Sequence, residues 1–238
     1  MNELSIAFLL FFALFLYIAF VEVRIRGKPN LRPMPALDFL KEAFQKAIES
    51  GRPLHVSPGT GTVGEKDTAE TLAGLGLLEY AQRQGGLYGI PVTSTFFHPT
   101  AMLSGYDFKR KFGPAGGRIY FIAPEKGIYA AGAAEVLKNE RPILNLALGP
   151  FGYEFVLLSE AAESQGIDQV AGATDPSVLP FVYSSTEHSL IGEEVFAAKA
   201  YLAKEPQALA GVIAQDVMRF ILIIGITVGV ILKTLGVI

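Results

Sequence analysis

LHVSPGTGTVGEKDTAETLAGLGLLEYAQRQ, residues 54–84, changes its hydrophobic period partway along. Leu54 to Ser57 reads as a short apolar strand. A loop of glycine and threonine follows as far as Gly64. From Thr68 to Gln84 the period becomes helical: Ala69, Leu72, Ala73, Gly76, Leu77, Tyr80 and Ala81 recur at i, i+3, i+4, i+7 and i+8 on one face. Asp67 and Glu70 stand at the N-cap and N3 positions of a start resembling a capping box. Strand, small-residue loop and helix together form the first half of a βαβ unit.

The same alternation extends in both directions. Upstream, Ala36 to Glu49 carries Leu37, Leu40, Phe44, Ala47 and Ile48 at helical spacing, with Gly51 as its C-cap. Downstream, strands are expected at Pro91–Thr95, Arg118–Ile122, Ile143–Leu148, Gln169–Ala171 and His188–Ile191. Helices are expected at Thr100–Lys111 (broken by Gly105), Glu125–Lys138, Tyr153–Gln165, Ser177–Tyr183 and Glu193–Lys204. Six short apolar strands separated by helices predict a mostly parallel sheet covered on both faces. With right-handed crossovers this is an α/β, doubly wound, Rossmann-like or flavodoxin-like fold, whose strand order one sequence does not disclose.

Two apolar stretches flank this domain. Val217 to Ile238 (VMRFILIIGITVGVILKTLGVI) has only Arg219 and Lys233 charged in 22 residues. Extended as a helix it covers roughly 33 Å, about one hydrocarbon core. Pro206 suits the first turn of a helix running from the domain surface into that span, with Asp216 in its cytoplasmic part. Leu4 to Val21 is uncharged over 18 residues. A cleaved signal peptide would want a basic start and small residues at the cleavage region, where Tyr17, Phe20 and Val21 stand, so a retained anchor is expected.

The chain is therefore expected to divide into a transmembrane helix (1–23), a basic Pro-containing linker (24–35), an α/β domain (36–205) and a C-terminal helix with its span (206–238). Arg24, Arg26, Lys28 and Arg32 place the domain in the cytoplasm and both termini outside. The lipid bilayer is the first expected partner. Gly225 and Gly229 form a G-x-x-x-G pair in the last span, where helix backbones can approach, so a homo-oligomer or contact with other membrane subunits is expected.

Composition narrows the classes further. A formal charge of −3 and a pI near 5.7 argue against nucleic-acid binding. No cysteine is present, which removes disulfides, thiolate metal sites and a cysteine nucleophile. Lys109-Arg110-Lys111 is the one basic run, read either as a solvated helix end or as a contact for anionic lipid headgroups.

Ligands of such a sheet bind beyond the carboxyl ends of its strands. The loops there are small and hydroxylated: Ser57, Gly59, Thr60, Gly61, Thr62 and Gly64 after the first strand, Gly149 and Gly152 after the fourth, Thr174 and Asp175 after the fifth. His98 follows the second. Together they are the candidate site for a small anionic or nucleotide-like ligand reaching backbone N–H groups. Gly59, Gly61 and Gly64 spell G-x-G-x-x-G, but Gly64 precedes the helix cap, and no acidic residue stands ready for a ribose after the second strand. A purely structural turn is the competing explanation. His55, inside a strand, reads as a satisfied core residue. No metal-ligand spacing, P-loop, nucleophile elbow or other catalytic set appears, and no cofactor is identified.

Leu31-Arg-Pro-Met-Pro-Ala-Leu-Asp38, Gly59-Thr-Gly61, Thr71-Leu-Ala-Gly-Leu75, Leu78-Glu-Tyr80, Leu190-Ile-Gly-Glu-Glu-Val-Phe-Ala-Ala198 and Ala200-Tyr-Leu202 carry a further signal. Through them the chain resembles a family of prokaryotic two-span membrane proteins defined by a domain of unknown function. The resemblance covers most of the chain and implies the architecture without an activity. A membrane-tethered protein with an assembly or scaffold role is the first expectation. A sensor or carrier of a small anion, and an enzyme whose residues are not identifiable, are the alternatives.

Overall fold

Six strands and the helices between them follow that alternation in the computed structural model, which describes residues 3–27, 29, 31–113 and 117–236. Met1, Asn2, Lys28, Asn30, Val237 and Ile238, assigned above to the N-terminus, the basic linker and the end of the last span, lie outside the described residues. In chain order the elements are α1 (Glu3–Arg26), α2 (Pro35–Ser50), β1 (Leu54–Ser57), α3 (Thr68–Tyr88), β2 (Val92–Phe96), α4 (Pro99–Phe112) and β3 (Ile119–Phe121). They continue with α5 (Lys126–Glu140), β4 (Leu144–Leu148), α6 (Glu154–Glu163), β5 (Asp168–Ala173), α7 (Leu179–Ser185), β6 (His188–Ile191), α8 (Glu194–Ala203) and α9 (Pro206–Thr234). The described residues form two compact units, one from the two chain ends (up to 32 and from 203 onward) and one from Pro33 to Leu202.

Within the larger unit all strands pair in parallel in the order β3-β2-β1-β4-β5-β6. This is the Rossmann order, which resolves the flavodoxin-like alternative and puts the topological switch point between β1 and β4. The two faces of the sheet differ in chemistry. Leu54, Val56, Val92, Phe96, Leu144, Leu146, Leu148, Val170 and Leu190 project into a core shared with α2, α3, α4 and α8. Alternation sends their neighbours to the other face, where Ala147, Ala171 and Ala173 meet Tyr129, Phe155, Leu158 and Val182 of α5, α6 and α7. His55, Ser57, Thr93, Thr95, Asn145 and Gln169 share that second face and are also buried.

Three local expectations need correction. Of the face expected on α3, Gly76, Leu77 and Ala81 are buried but Ala69 and Leu72 are exposed, and the buried surface extends to Thr71, Gly74, Leu75, Leu78, Gln82 and Gly85. The buried surface is shifted toward Gly74, where the helix comes close to the sheet: a Cβ there would stand 2.1 Å from the Leu148 carbonyl oxygen. Helix α4 is continuous through Gly105, whose missing side chain leaves room for the Phe96 ring. Asp67 is the N-cap of α3 but makes no side-chain capping bond, and the carboxylate of Glu70 instead accepts the hydroxyl of Thr174. The basic run is tied down locally, by Lys109 to the Gly117 carbonyl (2.7 Å), Arg110 to Asp107 (2.8 Å) and Lys111 to Glu79 (3.6 Å).

In the unit formed by the chain ends, α1 and α9 pack through Ala19, Ala210 and Ala214, with Phe12, Phe20 and Ile213 against them. Both helices are long and apolar enough to cross a membrane.

Candidate functional site

The polar residues of the second sheet face form one hydrogen-bonded chain. His55 Nδ1 lies 2.7 Å from Asn145 Oδ1, and His55 Nε2 lies 3.0 Å from Thr95 Oγ1. Thr95 Oγ1 is 3.1 Å from the Tyr129 hydroxyl, which is 2.5 Å from Ser57 Oγ. Asn145 Nδ2 donates to Gln169 Oε1 at 3.3 Å, and Gln169 Nε2 donates to the Ser159 carbonyl at 3.1 Å.

The donor assignment is self-consistent. Asn145 uses its N–H₂ on Gln169, so its oxygen accepts from His55 Nδ1–H, and the unprotonated Nε2 then accepts from Thr95. Tyr129 donates to Thr95 and accepts from Ser57. Burial holds His55 at about 4, against 6.5 when exposed, because a charged imidazole there loses its hydration; the Asn145 bond opposes this only in part. Burial likewise raises Tyr129, with Ser57 and Thr95 opposing, so its hydroxyl stays protonated and able to donate. Every member from Ser57 to Asn145 is buried, and the chain satisfies their polar groups within the core.

Above it, at the carboxyl ends of β1 and β4, the first and fourth loops close on each other. The Thr60 N–H donates to the Pro150 carbonyl at 2.7 Å, and the Thr60 hydroxyl reaches the same oxygen at 3.1 Å. A Cβ on Gly59 would stand 2.7 Å from that carbonyl oxygen, and one on Gly61 2.4 Å from the Pro150 ring. Gly149, at φ +148°, sits against the Pro58 carbonyl and donates its N–H to Gly172 at 3.2 Å. These glycines admit neighbouring chain.

A carboxylate from the chain itself occupies this junction. Glu154, at the start of α6, is 1% exposed, and its Oε1 accepts the Gly152 N–H at 2.7 Å and the Thr60 hydroxyl at 2.6 Å. Its Oε2 is buried without a hydrogen bond and lies 3.6 Å from Lys126 Nζ. Glu154 thus stands where an anionic ligand would use the loop N–H and the helix N-terminus. A phosphate brought to the same place would meet a carboxylate and an N–H already engaged.

The remaining candidates lie around the same rim in separate groups. Thr62 Oγ1 is 3.3 Å from His98 Nδ1 and 3.0 Å from Thr100 Oγ1, with His98 acting as the N-cap of α4. Thr174 is held by Glu70. Asp175 turns back to accept the Ser177 N–H (2.9 Å) and hydroxyl (2.8 Å), which hold its carboxyl below the ordinary range. The N–H of Gly64 donates to Thr68 Oγ1 at 2.9 Å. Among the described residues no group of three or more His, Asp or Glu could hold a metal ion.

Sequence reasoning missed Glu154, Lys126, Tyr129, Asn145 and Gln169. The signal for two of these was present: His55, Asn145 and Gln169 each hold the second position of a strand and pair in register across β1, β4 and β5. It becomes legible only once the strand order is known. At the opposite end of the sheet, Arg52, Lys138, Arg141, Gln165 and Ile167 line a hollow of about 640 Å³. There the Arg52 guanidinium is committed to the Arg141 and Pro142 carbonyls, at 2.9 to 3.1 Å.

A family model described as a domain of unknown function, DUF6754, matches residues 1–238. No curated protein and no solved structure matches the chain.

Proposed function

The chain belongs to this family, and from that premise we propose that it is a membrane-tethered Rossmann-like protein with an assembly or scaffold role, self-associating through its C-terminal span. One observation carries the proposal: from Phe220 to Ile231 every side chain of α9 is exposed, although α1 packs on the earlier part of the same helix. An apolar segment uncovered over this length is suited to lipid and to other helices. Gly225 and Gly229 lie within it with nothing inside 4 Å of an added Cβ, so a neighbouring backbone has room to approach. Arg24, Arg26, Lys28 and Arg32 argue for a cytoplasmic domain with both termini outside, in the cell membrane.

Two treatments of sealed, right-side-out cells test the tether and its orientation. The protein should remain with the membrane in alkaline carbonate, and external protease should not cut between Lys28 and Lys204. Release by carbonate removes the tether, and cleavage in that interval reverses the orientation.

A carrier of a small anionic or nucleotide-like ligand at the loop residues Ser57 to Gly64, Gly149 and Gly152 is the second proposal. The unbonded Glu154 Oε2 beside Lys126 speaks for some polar occupant at that rim, while the carboxylate itself speaks against phosphate. Mass spectrometry of gently purified protein separates the two: a stoichiometric small molecule supports the carrier, and protein that is clean of ligand supports the scaffold.

A further inference from the structure

Ala210, Ala214 and Met218, spaced i, i+4 and i+8, form the buried stripe of α9. Ala19 packs on the first two, with Phe20 beside it and Phe12 reaching the same cluster. The end of α1 therefore meets the beginning of α9, and the two helices run antiparallel with Ala19 level with the turn between Ala210 and Ala214. At 1.5 Å per residue, Asp216 lies roughly 6 Å and Arg219 roughly 10 Å further along α9 from that level. Those positions fall beside Phe15 to Phe12, the middle of the uncharged run Leu4–Val21 of α1. With α1 across a bilayer, Asp216 and Arg219 stand at hydrocarbon depth and not in the cytoplasmic part of the helix.

Both side chains face away from α1. Val212, Asp216, Arg219, Ile223, Ile226 and Val230 follow one another at spacings of 4, 3, 4, 3 and 4, the seam of a heptad. This seam lies about 160° around the helix from the Ala210–Ala214–Met218 stripe. Asp216 and Arg219 are 3.7 Å apart, with side chains 57% and 49% exposed. Charged groups at such depth are found against protein or water, since hydrocarbon solvates neither.

We infer that this seam is the contact between the α9 helices of two copies of the chain, an inference that rests on the membrane-tethered reading above. A second copy inserted in the same orientation, related by a twofold axis along the membrane normal, brings the same seam to the same depth. Each Asp216 then lies within reach of Arg219 of the second copy, the four charges sum to zero, and Ile223, Ile226 and Val230 close the contact beyond them. An anionic lipid would satisfy Arg219 and repel Asp216. Gly225 and Gly229 fall on other sides of the helix, about 140° and 100° from the seam, and remain open to a further helix.

The absence of native cysteine makes cross-linking direct. In native membranes under oxidant, Ile223→Cys should give a disulfide-linked dimer, and Ile221→Cys, on the α1 side, about fivefold less. Adding Asp216→Arg or Arg219→Asp to Ile223→Cys should lower the yield about tenfold, and the double swap should restore it to within about twofold. Should both single reversals fail to reach the membrane, the double swap decides: parental yield supports the seam and loss overturns it. No dimer at Ile223→Cys, a yield indifferent to charge reversal, or a cross-link to another protein also overturns it. An unmodified protein that is oligomeric by native mass, but gives no Ile223→Cys dimer, overturns the seam alone. A monomeric one overturns the self-association proposal with it.

Discussion

Lowering the pH should destabilise this protein through His55. Its folded-state value of about 4 lies below the 6.5 of the exposed side chain, so between those values the unfolded chain binds the extra proton. Stability from this group is therefore full above the ordinary value, declines as pH falls through the window, and changes no further below the folded value. Between about pH 7.5 and about pH 4.5 the loss amounts to about 2.5 kcal/mol, at 1.36 kcal/mol per unit of separation. Because carboxylates titrate in the same range, the assay is a difference. Urea unfolding followed by far-UV circular dichroism is run across that range on the parent and on His55→Asn. Asn keeps a donor for the Asn145 oxygen and cannot titrate. The variant should be less stable at neutral pH by about 1–2 kcal/mol, from the orphaned Thr95 hydroxyl and the lost ring volume. Its stability should fall less steeply, so the two curves converge in acid. Curves that stay parallel would refute the buried, neutral imidazole.

Other expectations follow from the close approaches and the buried charge. Gly74→Ala should destabilise by about 2 kcal/mol despite better helix propensity, because its Cβ meets the Leu148 carbonyl; thermal midpoints decide. Gly211→Ala, with open space around it, should be neutral or stabilising by up to about 1 kcal/mol, and equal effects at both sites would contradict the packing. Glu154→Ala should cost about 2 kcal/mol by stranding the Gly152 N–H and leaving the Thr60 hydroxyl only its longer bond to the Pro150 carbonyl, visible as a lowered midpoint, whereas an unchanged midpoint would mean the carboxylate is not the keystone of the two loops. Leu at both Gly225 and Gly229, which lie off the Asp216–Arg219 seam, should leave a two-copy mass intact in mild detergent and lower only a larger one, and loss of the two-copy mass would put the glycines in the dimer contact.

The alternation of periods was enough to identify the α/β class and both long apolar helices, because each strand carries a short apolar run and each helix a 3.6-residue repeat. What it concealed depended on pairing. On α3 the apolar count favoured Ala69 and Leu72, yet Gly74 and Gly85 mark the face nearest the sheet, since a missing side chain contributes no hydropathy. Strand order was invisible, and with it the row His55, Asn145 and Gln169. Ser57, Gly59, Thr60, Gly61, Gly149 and Gly152 were recognisable as a cluster of loops at one sheet end. That Glu154 would turn back into them depends on the entry angle of α6. Asp216 reads as cytoplasmic from linear order, and the deeper position proposed for it depends on the register of α1 against α9, which linear order does not contain.

Native mass spectrometry of the full chain released from mild detergent counts the copies directly. The account predicts a complex of two or more 25.6 kDa chains. A single 25.6 kDa species across the concentrations at which the protein keeps its fold would contradict it.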